Sequence, residues 1–198
     1  MLVKMNNEGL VTVAVLIAGR SGTGKSTAAG AMYGSLIDNH FSVQVAHFAT
    51  ALKNTAYEVF GWDGEKDEKG RTLLQQLGNI GRQYDPNIWV DKLVLEYQRH
   101  STDFLIIDDW RFPNEKTRIM EIPGVKVLTV RIEAPKYERY VGTLQYNDVS
   151  EVSLSDSFSN YDYTIRNNDT LGALELFARM IIDDIRATYG TMLSKGEE

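Results

Sequence analysis

The segment Gly19-Arg20-Ser21-Gly22-Thr23-Gly24-Lys25-Ser26-Thr27 constrains this chain more than any other part of it. It satisfies G-x-x-x-x-G-K-S/T, and a chance match in a chain of this composition has a probability of roughly 1%. A β-branched apolar run, Val11 to Ala18, precedes it, and a helical pattern from Lys25 to Asn39 follows. The physics of the motif needs that order. Glycines let the backbone curl so that successive N–H groups point inward, and the helix N-terminus adds the positive end of its dipole. Gly19 through Thr27 therefore read as a cradle for nucleotide phosphates. Lys25 reaches the β- and γ-phosphates, and the Ser26 hydroxyl binds Mg²⁺. The plainer alternative is a glycine-rich turn carrying an exposed lysine.

Around the motif, short apolar runs alternate with longer helical patterns, which predicts an α/β fold with a mostly parallel sheet. The expected strands are Val11 to Ala18, Ser42 to Ala49, Phe104 to Asp109, Val125 to Ile132 and Tyr161 to Arg166. Several are near-continuous Val/Ile/Leu runs, as in strands covered on both faces. Helices are expected at Lys25 to Asn39, Ala51 to Phe60, Thr72 to Gln83, Pro86 to His100, Asn114 to Ile122 and Thr170 to Tyr189. The last should bury Leu171, Leu174, Phe177, Met180, Ile181 and Ile185 on one face. Two segments interrupt the alternation. A long one separates the second strand from the third and contains the charge run Trp62 to Gly70, which reads as a solvated loop tip. The other is the polar, tyrosine-rich stretch Glu133 to Phe158. Long connections in compact α/β domains usually bind ligands or close over them.

Composition removes whole classes of function. With no cysteine among 198 residues there is no disulfide, thiolate zinc site, iron–sulfur cluster or cysteine nucleophile. Three scattered histidines argue against a histidine-rich metal site, and the net charge of −6 argues against a nucleic-acid polymer as the main partner. No apolar run approaches the ~18–20 residues of a membrane span. The N-terminal stretch has no signal-peptide pattern, so a cytoplasmic location is expected by default, the host cytoplasm if the chain is phage-encoded. No N-K-x-D string marks a guanine site, and motor ATPases bring larger domains or basic surfaces. A small-molecule kinase fits the length and the two long segments.

The second chemical signal is Phe104-Leu105-Ile106-Ile107-Asp108-Asp109-Trp110-Arg111-Phe112-Pro113-Asn114-Glu115. An apolar strand ending in acid sets a carboxylate at the sheet's C-terminal edge, beside the phosphate cradle. Asp109, one residue nearer the strand mouth, is the expected catalytic acid and, with Ser26, the expected metal ligand. Asp108 is assigned to local structure. Arg111 is placed to grip phosphate through its bidentate fork. An N-capping aspartate and a surface ion pair are the plainer readings.

These motifs occur in one order with Phe48-Ala49-Thr50-Ala51-Leu52-Lys53, Leu73-Leu74-Gln75-Gln76-Leu77-Gly78, Gly81-Arg82 and Asp85-Pro86-Asn87-Ile88-Trp89-Val90. Together they resemble the bacteriophage-type deoxynucleoside monophosphate kinases of the P-loop nucleoside monophosphate kinase superfamily, from about Val11 to Thr170. The resemblance implies a single domain of three-layer α/β P-loop kinase fold with a five-stranded parallel sheet. It also implies an acceptor-binding insert at about 54–98 and a lid at about 133–158. Lys53, Arg71 and Arg82 become candidates for gripping the acceptor monophosphate, and Trp89 a base-stacking or insert-core residue. The plainer roles are solvated charges for Lys53 and Arg71, an ion pair for Arg82 and core packing for Trp89. Arg131 and Arg139 are the lid arginines the resemblance suggests. Glu151 is a further acceptor-site candidate, although Asp148 stands where the family pattern has a histidine. Asn167, just after the last strand, meets the donor adenine or simply forms a turn.

The implied reaction moves the γ-phosphoryl group of ATP to a deoxynucleoside 5′-monophosphate, with Mg²⁺. Dephospho-CoA kinase, another small-metabolite kinase, and a regulator that binds ATP without transferring phosphate are the rival readings. Base preference and oligomeric state, a homodimer included, stay open.

Overall fold

A computed structural model describes residues 12–98, 102–134, 153–154 and 160–193. Its strands are β1 (Thr12–Ala18), β2 (Val43–Ala46), β3 (Phe104–Ile107), β4 (Val125–Glu133) and β5 (Tyr163–Arg166). Its principal helices are α1 (Lys25–Asp38), α2 (Ala49–Phe60), α3 (Glu68–Tyr84), α4 (Ile88–Tyr97), α5 (Pro113–Met120) and α6 (Leu171–Leu193). The five strands form one sheet in the order β2-β3-β1-β4-β5. Every pairing is parallel, with Val13 opposite Phe104 on one side of β1 and Thr12 opposite Val125 on the other. This is the five-stranded parallel α/β fold expected from the sequence.

β1 lies at the centre, and all seven of its residues are buried. Successive side chains of a strand point to opposite faces, so one run of apolar residues serves two cores. Val13, Val15 and Ile17 join α1 and α6 on one face of the sheet. Ala14, Leu16 and Ala18 join α4 and α5 on the other. The chain leaves β1 at the C-terminal edge, where the order of strand connection reverses and ligands bind in open α/β sheets.

The structure corrects several expected boundaries, each for a reason distant in sequence. β2 ends at Ala46 instead of Ala49, because the N–H groups of Phe48 and Ala49 donate to Asp109 and the chain turns into α2. β3 ends at Ile107 because Asp108 and Asp109 leave the ladder to make side-chain contacts. α3 starts at Glu68, inside the charge run expected to be all loop, since Asp67 accepts from Gly70 N and caps it. α4 begins at Ile88; the preceding turn is held by Asp85, which accepts from Asn87 N through its side chain and from Ile88 N through its carbonyl.

The buried face of α6 also differs. It runs through Leu174, Ala178, Ile182 and Ile185, whereas Leu171, Phe177 and Met180 are exposed. α1 presents Ala28, Ala29, Ala31 and Ser35 to its surroundings, and these small residues let α6 approach closely along the side bearing Ala178. Apolar residues lie on several sides of α6, so periodicity alone did not select the buried one.

Candidate functional site

The phosphate cradle forms as its sequence dictates. Gly19, Gly22 and Gly24 all have positive φ, and a Cβ on Gly19 would lie 2.5 Å from the Ile132 carbonyl oxygen. Gly24 is the left-handed residue that starts α1. Thr23 Oγ1 donates to the Arg20 carbonyl at 2.9 Å, and Lys25 Nζ donates to the carbonyls of Gly19 and Arg20 at 2.7 and 2.8 Å. The lysine thus lies across its own loop and can exchange carbonyls for phosphate oxygens without a large movement. Asn167 Nδ2 donates to the Thr23 carbonyl at 3.0 Å. Its amide therefore braces the cradle from the end of β5, a role the adenine-or-turn alternatives did not anticipate.

The two aspartates after β3 face different ways. Asp108 is buried, hydrogen-bonds Ser26, and lies 2.5 Å from Nδ1 of His47. Burial pushes its carboxyl up, but the His47 and Ser26 bonds, with the charges of His47 and Lys25, outweigh burial and hold it below the usual range. The same bond to Asp108 raises the His47 pKa despite opposing burial. Asp109 instead accepts from Phe48 N at 2.8 Å and Ala49 N at 3.0 Å, one on each carboxylate oxygen. Burial drives its pKa up while those two bonds oppose the rise. The expected order is therefore inverted in space. Asp108 meets the P-loop serine, and Asp109 anchors the start of α2.

One ligand atom each from His47, Asp108 and Asp109 lie within 4.8 Å of one another. An open groove of about 900 Å³ reaches Ser26, His47 and Asp108 from between α1 and β2. The donor set nearest the cradle, the Ser26 hydroxyl and an Asp108 carboxylate held anionic, suits a hard cation that prefers oxygen. Mg²⁺ fits there.

A second group of charges gathers on the insert side of the same turn. Lys53 on α2, Arg71 on α3 and Arg111 all lie within electrostatic reach of Lys66, as does Asp109. Arg71 Nε donates to the Lys66 carbonyl at 2.7 Å. The Arg82 guanidinium stacks 4.4 Å from the Phe112 ring centroid and donates to Asn79 at 2.8 Å. Arg111 N and Phe112 N both donate to Glu115 Oε2, which fixes the turn that carries Arg111.

Trp89 does not present its ring to an acceptor. It is buried, donates to the Gly78 carbonyl at 3.2 Å, and packs on Gly81, where a Cβ would lie 2.5 Å from the ring. Of its two expected roles the structure selects insert core, because Gly81 on α3 leaves room for the ring and Gly78 offers its carbonyl to the indole N–H. Arg131, expected in the lid, lies on β4 opposite Ala18, donating to Glu133 at 2.9 Å and to Tyr161 Oη at 3.2 Å. Arg139, Asp148 and Glu151, and nearly all of the expected lid, fall outside the described residues.

Sequence reasoning missed His47. A signal for His47 stood beside the Phe48-Ala49 block. Lys66 lies in the charge run read as solvated surface, and it is indeed exposed.

No family model matches the chain, and no curated protein matches it. Among solved structures it is similar to the Cys556Ala mutant of the Mycobacterium tuberculosis APS kinase, at 14% identity and TM-score 0.48, over 89% of this chain and 99% of that one. The same kinase in complex with AMPPNP and APS gives 13% identity and TM-score 0.47, over 89% and 99%. Shikimate kinase from Aquifex aeolicus gives 9% and 0.44, over 88% and 98%. With TM-scores this low, these likenesses carry no argument about chemistry, which rests on the residues themselves. No helix among the described residues is long and apolar enough to cross a membrane.

Proposed function

We propose that this chain transfers the γ-phosphoryl group of ATP to a deoxynucleoside 5′-monophosphate, as the resemblance of its motifs to the phage-type kinases implies. The observation that supports this reading is the turn at Asp108 to Arg111. It joins a donor-phosphate site, through Asp108 and Ser26, to a separate cationic group on the insert, through Asp109 and Arg111. Two anion sites flanking one turn suit a reaction in which both substrates carry phosphate. In this reading residues 54–98 receive the acceptor, residues 133–158 form the lid, and the whole chain is one domain.

The chemistry needs little general-base help, because the attacking oxygen belongs to a phosphate monoester that is already anionic. That oxygen forms a bond to Pγ as the bond from Pγ to the β,γ-bridging oxygen breaks, and ADP leaves. Positioning and charge neutralisation then supply most of the catalysis. Lys25 offers its ammonium to the transferring group, while the cradle's N–H groups hold the β-phosphate. Arg111, held by the Glu115-capped turn, and Lys53, Arg71 and Arg82 grip the acceptor phosphate. Ser26 and Asp108 would hold Mg²⁺. When bound with ATP, Mg²⁺ offsets charge on the β- and γ-phosphates.

A coupled assay of ADP release, with ATP and a panel of deoxynucleoside and ribonucleoside monophosphates, dephospho-CoA and a no-acceptor control, tests the reading. Turnover that requires a deoxynucleoside monophosphate is the expected result. Turnover only with dephospho-CoA, or ATP binding with no transfer to any acceptor, would overturn it.

A further inference from the structure

The parallel register of β2 on β3 sets Ala46 opposite Ile107, and both strands end at that pair. The next residue of each segment, His47 on one and Asp108 on the other, therefore meet side by side. His47 Nδ1 lies 2.5 Å from Asp108 Oδ1. An ionised carboxylate can only accept, so the ring nitrogen donates. One step further along, the N–H groups of Phe48 and Ala49 donate to the two oxygens of Asp109 at 2.8 and 3.0 Å. The His47 carbonyl accepts from Thr50 N at 3.1 Å. The backbone that carries the ring is thus fixed by the ladder on one side and by these hydrogen bonds on the other.

Asp108 meets the phosphate cradle on its other side. β3 pairs with β1, the strand that runs into the cradle, with Leu16 opposite Ile107. Asp108 hydrogen-bonds Ser26 there, and Ser26, His47 and Asp108 line one open groove. A carboxylate turns about its Cβ–Cγ bond unless a partner holds it. One already held binds a cation without first giving up that freedom. The bond from His47 to Oδ1 stops the rotation. The His47 side chain is itself 41% exposed, so it adds little to the core, and its one strong contact is with the carboxylate.

We propose that His47 is a positioning residue: by holding Asp108 Oδ1 it sets the carboxylate to bind Mg²⁺ together with Ser26. This rests on the donor half of the proposed function, in which ATP and Mg²⁺ occupy the cradle, and it is independent of which acceptor is used. Removing a group that orients a metal ligand costs about 10- to 100-fold in metal affinity.

Calorimetric binding of a non-hydrolysable ATP analogue, measured once with Mg²⁺ and once with EDTA, isolates that contribution. Mg²⁺ should tighten binding to the wild-type chain. His47→Leu is expected to cut this gain at least tenfold, with the affinity in EDTA and the acceptor KM unchanged. His47→Asn, whose Nδ2 can stand where Nδ1 stood, should recover most of the loss. A merely structural role would weaken binding equally with and without the metal. An unchanged Mg²⁺ gain in a folded His47→Leu protein would overturn the proposal, as would a wild-type chain that binds the analogue equally well in EDTA. The second measurement needs neither turnover nor a variant. With Mn²⁺ in place of Mg²⁺, the His47 ring resonances should broaden far more than those of His40, which follows the far end of α1, about 21 Å from its start. Equal broadening of the two would also overturn it. Should no monophosphate be phosphorylated at all, the proposed function fails, while a His47-dependent Mg²⁺ gain still establishes the positioning role.

Discussion

Replacing Asp108 and Asp109 one at a time by asparagine should separate chemistry from architecture. Asp109 accepts one backbone N–H on each oxygen, at 2.8 and 3.0 Å. Asparagine offers one oxygen and one NH₂, so one of those N–H groups loses its acceptor and faces a donor. A hydrogen bond to a charged group is worth about 1.5–3 kcal/mol, and a stranded buried donor costs about 1–3 more. Asp109→Asn should thus destabilise the fold by about 3 kcal/mol. In a chain of this size each kcal/mol moves Tm by ~2–4 °C, so the expected fall is roughly 6–12 °C. Asp108 differs because its partner His47 is 41% exposed at the side chain, which leaves their ion pair worth only about 1 kcal/mol of stability. Turnover of Asp108→Asn should instead drop at least ~10²-fold, since it removes the preorganised negative group beside Ser26. The His47 ring, freed from a carboxylate, should titrate at lower pH, visible by NMR. Thermal melts and the coupled assay, run below both melting temperatures, read all of this. If Asp109→Asn abolished turnover with an unchanged Tm while Asp108→Asn stayed active, the assignment of roles would be wrong.

Two further outcomes test the scaffold. Burial drives Glu115 up to about 8, against two backbone N–H bonds that oppose the shift. The folded chain then holds a proton that the unfolded chain releases near pH 4.5, so stability should fall as pH rises between those values, by up to ~1.4 kcal/mol per pH unit. Glu115→Gln, which accepts the same two bonds without titrating, should flatten that slope in urea titrations; identical slopes would contradict it. Gly81→Ala places a Cβ 2.5 Å from the Trp89 ring and should cost about 1–3 kcal/mol, less on a Trp89→Leu background. Additive losses in the double-mutant cycle would show that the contact is not the cause.

Both the β1–cradle–α1 unit and the parallel α/β class were legible in the amino-acid sequence, for a local reason. A seven-residue buried strand needs an unbroken apolar run, and a left-handed turn into a helix needs glycine at Gly24. Each requirement is met by neighbours in the chain, so the pattern can be read in order. The same holds for the apolar strand ending in acid and for the existence, though not the ends, of the insert helices.

Tertiary structure decided what depends on partners far along the chain. His47, Phe48 and Ala49 stand about sixty residues before the aspartates they contact, separated by 61, 61 and 60 positions. No local pattern says which carboxylate meets which. That one encounter ended β2 early, started α2, and set Asp108 against His47 and Ser26 while Asp109 faced the start of α2. Likewise, the space at Gly81 made Trp89 a core residue, and the small face of α1 chose the side of α6 to bury. The turn from Trp62 to Gly70 closes because a glycine at position 70 lets the Glu65 carbonyl approach to 2.1 Å from where a Cβ would stand. A charge run in sequence carries no sign of such a contact. Periodicity and composition report what a segment can do alone; burial and hydrogen-bond partners are assigned only when the segments meet.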